Sequence, residues 1–141
     1  MLLDTNVISE MWRARPDVRV TTWLNAKNFD QLFICTPVLA EIRSGIERLD
    51  AGPRRQYLER MAGDLIETVY RNRILDFDID AALIFGRISA QRQRSGRRIE
   101  LLDGMIAATA LANRMPLVTR NVHDFSDIGL DVIDPFSADP S

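Results

Sequence analysis

The sequence predicts an α/β domain organised around a parallel sheet. Three observations point that way. Short apolar runs alternate with longer stretches of helical periodicity along the whole chain, the pattern of strands joined by right-handed helical crossovers. The runs are continuous rather than alternating, as in Leu32-Phe33-Ile34-Cys35, which suits strands covered on both faces. The 141 residues carry no internal repeat and no linker-like stretch. A chain of that length buries about two thirds of its unfolded surface in one core, so residues 1–141 are expected to form a single domain.

The opening run, Met1 to Leu3, ends in Asp4, read as the last residue of a buried central strand. Thr5 and Asn6 then turn the chain into a short helix, Val7 to Arg13, which stops near Pro16. Asp17 is placed to cap a second helix reaching Lys27, with Val18, Val20, Trp23 and Leu24 inward. Leu32 to Cys35 is a strand. Thr36 caps and Pro37 opens the helix that follows, Val38 to Leu49. Beyond a loop at Asp50 to Pro53, Arg54 to Tyr70 reads as a helix with Tyr57, Leu58, Met61, Leu65, Ile66 and Val69 inward. Ile74 to Phe77 is a strand. Asp78 or Asp80 caps the next helix, whose apolar positions are Ile79, Leu83, Ile84 and Ile88 and whose end frays at Arg92 to Gly96. Leu101 to Asn113 is apolar nearly all round, hence buried. Pro116 to Thr119 and Val132 to Ile133 complete the strands, separated by a loop from Arg120 to Ile128 and followed by a tail from Pro135 to Ser141.

Composition narrows the chemistry. The net charge of −2 argues neither for nor against a nucleic-acid partner. Of 18 basic residues 17 are arginine. This has two readings: base composition of the genome, or phosphate binding by planar guanidinium groups. Cys35 is the only cysteine, so neither a disulfide nor a cysteine metal site is expected. The sequence shows no signal peptide and no membrane-length apolar run, and a cytoplasmic location is expected. HExxH, GxxxxGK[ST] and CxxC are absent, which weighs against a zinc protease, a P-loop enzyme and a thiol oxidoreductase.

The acidic residues carry the functional argument. Asp4 closes the first strand, Glu41 lies in the second turn of the helix after the second strand, Asp103 opens the apolar helix, and Asp124 follows the penultimate strand. In a parallel sheet these points share the carboxyl edge, where α/β folds place their sites. Carboxylates gathered there repel one another, and either share protons or bind a cation. Oxygen ligands suit Mg²⁺ or Mn²⁺, ions that activate water and clamp phosphate oxygens. Each residue also has a bland reading. Asp103 alone is a helix cap, Glu41 a solvated helix charge, and Asn121, His123 and Asp124 loop residues. Asp4 is the hardest to read blandly, because a carboxylate after a buried run is costly without a partner.

Four stretches in order resemble a PIN domain: Leu3-Asp4-Thr5-Asn6-Val7-Ile8-Ser9, Ala40-Glu41-Ile42-Arg43-Ser44-Gly45, Leu102-Asp103-Gly104-Met105-Ile106-Ala107-Ala108-Thr109-Ala110, and Val118-Thr119-Arg120-Asn121-Val122-His123-Asp124-Phe125. Within that family the chain is similar to the VapC-type toxins of bacterial toxin–antitoxin pairs, in their FitB-like branch. The resemblance implies a three-layer α/β/α sandwich with a central parallel sheet of four to five strands. It implies a Mg²⁺- or Mn²⁺-dependent ribonuclease with Asp4, Glu41 and Asp103 as catalytic metal ligands. Thr5, Asn6 and Thr119 are expected to support the site. Asn121 stands where some relatives have an acid, so Asp124 is expected to complete the ligand set with help from the Asn121 amide, giving one firm and one weak cation site. The implied partners are RNA, a cognate antitoxin, promoter DNA only through the antitoxin, and a second copy of the chain; no membrane is implied. Trp12, Trp23, Tyr57 and Met61 offer an apolar groove for the antitoxin.

A run of five arginines without an acid, Arg87 to Arg98, leads into the Asp103 helix. Arg92, Arg94, Arg97, Arg98 and, beyond the penultimate strand, Arg120 are candidate contacts to an RNA backbone. Asn121 also motivates an alternative, a catalytically weak or inactive RNA- or antitoxin-binding module. An aspartyl phosphatase is disfavoured, because it needs a second aspartate two residues after the first and Asn6 stands there.

Overall fold

The computed structural model describes residues 1–137; the last four residues of the expected tail lie outside them. The strands are β1 (Leu2–Leu3), β2 (Ile34–Cys35), β3 (Ile74–Leu75), β4 (Leu117–Val118) and β5 (Val132–Ile133). The helices are α1 (Thr5–Met11), α2 (Val18–Asn25), α3 (Thr36–Glu47), α4 (Pro53–Asp64), α5 (Ile79–Arg94) and α6 (Leu101–Ala112). β1 pairs with β4 and β4 with β5, while β2 pairs with β3, all in parallel. A parallel bridge between Leu2 and Phe33 joins the two pairings. The spatial order is therefore β3-β2-β1-β4-β5, with β1 in the middle.

Successive residues of a strand point to opposite faces. In β1, β2 and β4 both residues are buried, so helices cover both faces of the sheet, giving the three-layer α/β/α arrangement. β3 and β5, at the edges, are only half-buried. Asp4 and Thr119 directly follow the adjacent central strands β1 and β4, on the carboxyl edge.

Several elements depart from the sequence expectation for identifiable reasons. α1 begins two residues early, because Asp4 caps it: Oδ1 accepts from the Thr5 amide at 2.8 Å. Thr36 is not a cap. It is the first residue of α3, whose N-cap Cys35 makes no side-chain bond, and its hydroxyl accepts instead from the Phe77 amide at 3.1 Å. The long helix predicted from Arg54 to Tyr70 ends as α-helix at Asp64 and continues as a π-turn over Leu65–Val69, closed by the Tyr70 amide donating to the Leu65 carbonyl at 2.9 Å. The extra residue in that turn rotates the inner face, so Leu65 and Tyr70 are buried while Ile66 and Val69 are exposed. Val18, expected inward, is also exposed.

α5 is rotated too. Ile79 and Leu83 are 79% and 67% exposed; Ala81, Ile88 and Arg92 are buried, with Phe85 half-buried on the same stripe. The rotation follows from α6. Gly104 lets Phe85 approach so closely that a Cβ there would lie 2.8 Å from Cε2 of that ring. The caps predicted at Asp17 and Asp78 are in place, accepting from Arg19 and Ala81 amides at 2.9 and 3.0 Å. Among the described residues no helix is long and apolar enough to cross a membrane.

Candidate metal and RNA site

Asp4 is 2% exposed and held from three directions. Beyond the Thr5 amide on Oδ1, its Oδ2 accepts from the Thr119 hydroxyl at 2.7 Å and from Asn6 Nδ2 at 3.1 Å. Thr119 Oγ1 in turn accepts from the Asn121 amide at 3.0 Å, and Asn6 Oδ1 accepts from the Arg120 amide at 3.1 Å. Of the residues expected to support Asp4, Thr119 bonds it through its hydroxyl and Asn6 through its amide side chain, whereas Thr5, expected to act through its hydroxyl, bonds it only through the backbone amide. They also tie the start of α1 to the loop after β4.

Burial pushes the Asp4 carboxyl above its ordinary range, against the pull of its hydrogen bonds, and the Glu41 carboxylate adds to the rise. Asp103, half-buried in the first turn of α6, is pushed up to about 6, by burial first and then by the charges of Asp4, Glu41, Asp124 and Glu100. Asp4, Glu41 and Asp124, from three other elements, thus lie within electrostatic reach of Asp103. Glu100, the N-cap of α6, is a fifth member that the sequence reading missed; its position one turn before Asp103 was the available signal. Buried Cys35 is held up to about 12, by burial and then the charges of Asp4 and Glu41, which removes it as a nucleophile.

Three features of this cluster fit a hard divalent cation. All its donors are oxygens. Among the described residues no salt bridge reaches Asp4, Glu41, Asp103 or Asp124, so the negative charge has no protein counterion. The Thr5 hydroxyl is buried without a hydrogen-bond partner. Among the described residues no three acidic, histidine or cysteine side chains close into a ready-made cage. Mg²⁺ accommodates this, since it keeps several of its waters.

The predicted arginines separate into distinct groups. Arg94 and Arg98 are exposed. Arg98, with Arg97, His123 and Glu100, borders a recess of about 400 Å³ that also meets Asp103 and Asp124. Arg120 is exposed, yet its guanidinium lies 3.8 Å over the Phe136 ring and 3.8 Å from the buried Glu10 carboxylate. Arg97 donates to the His123 carbonyl at 2.9 Å and approaches Asp127 at 3.3 Å. Arg92 corrects the expectation: although it is among the residues lining that recess, it is 3% exposed and donates to the Asp124 and Ser126 carbonyls at 2.7 and 2.6 Å, so almost none of it is open to RNA. It is buried because it continues the inward stripe of α5. The Asn121 side chain caps nothing in the 3₁₀ turn Val122–Phe125 that it precedes.

On another face, an apolar groove of about 370 Å³ is lined by Trp12, Met11, Phe29, Met61 and Tyr70. Trp12 and Met61 were expected there. Trp23 and Tyr57 do not line it.

Comparisons with known proteins agree with this architecture. The PIN-domain family profile matches residues 1–130. The chain is 39% identical to the VapC ribonuclease Y4jK of Sinorhizobium fredii over 96% of its own length and 97% of that protein's. It is 33% identical to Toxin FitB of Neisseria gonorrhoeae over 96% and 98%. Among solved structures, FitAB bound to an IR36 DNA fragment superposes with a TM-score of 0.88 at 33% identity, covering 98% of this chain and 96% of that one.

Proposed function

The chain belongs to the PIN-domain family, and from that premise we propose that it is a Mg²⁺- or Mn²⁺-dependent ribonuclease acting as the toxin of a toxin–antitoxin pair. The observation that carries the proposal is the acidic cluster at the carboxyl edge, with no salt bridge to it among the described residues and with Asp103 raised by burial and then by its acidic neighbours. Asp4, Glu41, Asp103 and Asp124 hold the cation, directly or through its waters. When bound, the cation supplies an activated water and neutralises charge on the phosphodiester oxygens. The Thr5 amide, Asn6 and Thr119 keep the Asp4 carboxylate in one orientation. Arg98, which borders the recess shared by Asp103 and Asp124, binds the RNA backbone, together with the exposed Arg94 and Arg120. The similarity to VapC ribonucleases supports the RNA substrate, and its field of action is the cytoplasm, where that RNA is.

The apolar groove lined by Trp12, Met61 and Phe29 receives a segment of the antitoxin, and promoter DNA is met through that antitoxin rather than through this chain. The likeness to FitAB solved on a DNA fragment supports this part; assembly as a homodimer belongs to the same proposal. Purified protein is expected to cut RNA with Mg²⁺ or Mn²⁺ and to stop with EDTA, and Asp4→Asn should cut no better than buffer. Equal activity in that variant would refute the assignment. The binding-only alternative rests on Asn121 in place of an acid; reproducible EDTA-sensitive cleavage would remove it.

A further inference from the structure

The 3₁₀ turn that carries Asp124 is held by a buried cation. Arg92 spends one terminal nitrogen on two carbonyls, those of Asp124 and Ser126, on either side of the fully buried Phe125. Arg97 takes the carbonyl of His123 one residue earlier and approaches the Asp127 carboxylate. The two arginines are linked through the Arg97 amide, which donates to the Arg92 carbonyl at 3.0 Å. Three carbonyls at and around Asp124, those of His123, Asp124 and Ser126, are thereby gripped from α5 and the loop after it.

Arg92 has no acidic partner among the described residues, and its Nε is buried without a hydrogen bond. Burying an unpaired guanidinium is costly. An apolar residue would fill the stripe below Ile88 at no such cost, so packing alone does not account for an arginine here. Charge-assisted bonds to carbonyls are short and directional. They fix the main chain on both sides of Asp124, and with it the exit of that carboxylate toward the recess it shares with Asp103.

We propose that Arg92 and Arg97 are positioning residues for Asp124, and that they set cation affinity by holding its turn rather than by touching RNA. The inference rests on the metal-dependent ribonuclease reading. Residues that orient metal ligands typically change metal affinity by about 10–100-fold when removed. The test is a calorimetric Mn²⁺ titration of wild type, Arg92→Met, Asp124→Asn and the double variant, with melting temperatures and RNA cleavage measured alongside. Arg92→Met should weaken Mn²⁺ binding about 10-fold or more. The double variant should bind no worse than Asp124→Asn alone, because the two changes remove one interaction. A lowered melting temperature with unchanged Mn²⁺ affinity, or losses that multiply in the double variant, would overturn the proposal. Should Arg92→Met fail to fold, Arg97→Met, at the half-exposed outer grip, carries the same comparison with the same outcomes. Wild-type protein that neither binds Mn²⁺ nor cuts RNA would instead refute the underlying reading, and would be seen before any variant is compared.

Discussion

Thr119 is fully buried and meets three polar groups at once. Its hydroxyl donates to Asp4 and accepts from Asn6 Nδ2 and the Asn121 amide. Valine has nearly the same shape, so Thr119→Val isolates the hydroxyl. It should cost about 1–3 kcal/mol of stability, the range for leaving buried polar partners unsatisfied, and weaken Mn²⁺ binding in the same titration. Asp103 allows a pH prediction. Its folded pKa of about 6 lies above the ordinary carboxylate value, so the folded chain prefers the protonated form. The stability this contributes is full below about pH 4 and is lost as pH rises through 6; Asp4, also raised, acts in the same direction. Asp17, lowered to about 2 by its bonds with Arg19, titrates below this window. Metal-free protein should therefore melt at a lower temperature at pH 7 than at pH 5, while Mn²⁺ binding should tighten over the same interval as protons leave. A melting temperature in EDTA that rises from pH 5 to 7 would contradict this. At this scale Asp4 stood out by position, because a carboxylate directly after a buried strand has few bland explanations, whereas Asn6 and Thr119 entered only through the family resemblance. Arg92 was misjudged, because an arginine in a basic run looks the same whether it faces water or the core.

Elements were legible where local chemistry decides them and obscure where packing does. The caps at Asp17 and Asp78 follow from side-chain hydrogen bonding two or three residues ahead. The π-turn at Leu65–Val69 has no such local signature; a single extra residue shifts which side chains face inward. The rotation of α5 was hidden because Ile79, Leu83 and Ile88 also form a helical stripe. The true stripe, Ala81, Phe85, Ile88 and Arg92, is selected by contact with α6 through Gly104. Gly104→Ala should accordingly push Phe85 out of its position, at about 1–3 kcal/mol, read as a shift in the denaturation midpoint. Phe85→Leu should recover part of the loss when combined with it. A neutral Gly104→Ala would show that the two helices yield more easily than their geometry indicates.

The fold as a whole was readable from strand–helix alternation, which fixes a parallel sheet and therefore a single functional edge. The sequence did not contain the distances across that edge, nor the openness of the acidic cluster. A cation bound there stabilises the native state by mass action. At 100 times its dissociation constant, Mn²⁺ should add about 2.7 kcal/mol, seen as a higher melting temperature that EDTA reverses and that Asp4→Asn lacks.

The hydrogen bond from Thr119 to Asp4 spans 115 residues, nearly the length of the chain. Synthesis runs from Asp4 toward Thr119 at about 5–20 residues per second, so the two residues emerge roughly ten seconds apart. Through that interval, and in any fragment released before Thr119, Asp4 lacks the hydroxyl that holds it, and β1 lacks its neighbour β4. Only a nearly finished chain closes the carboxyl edge.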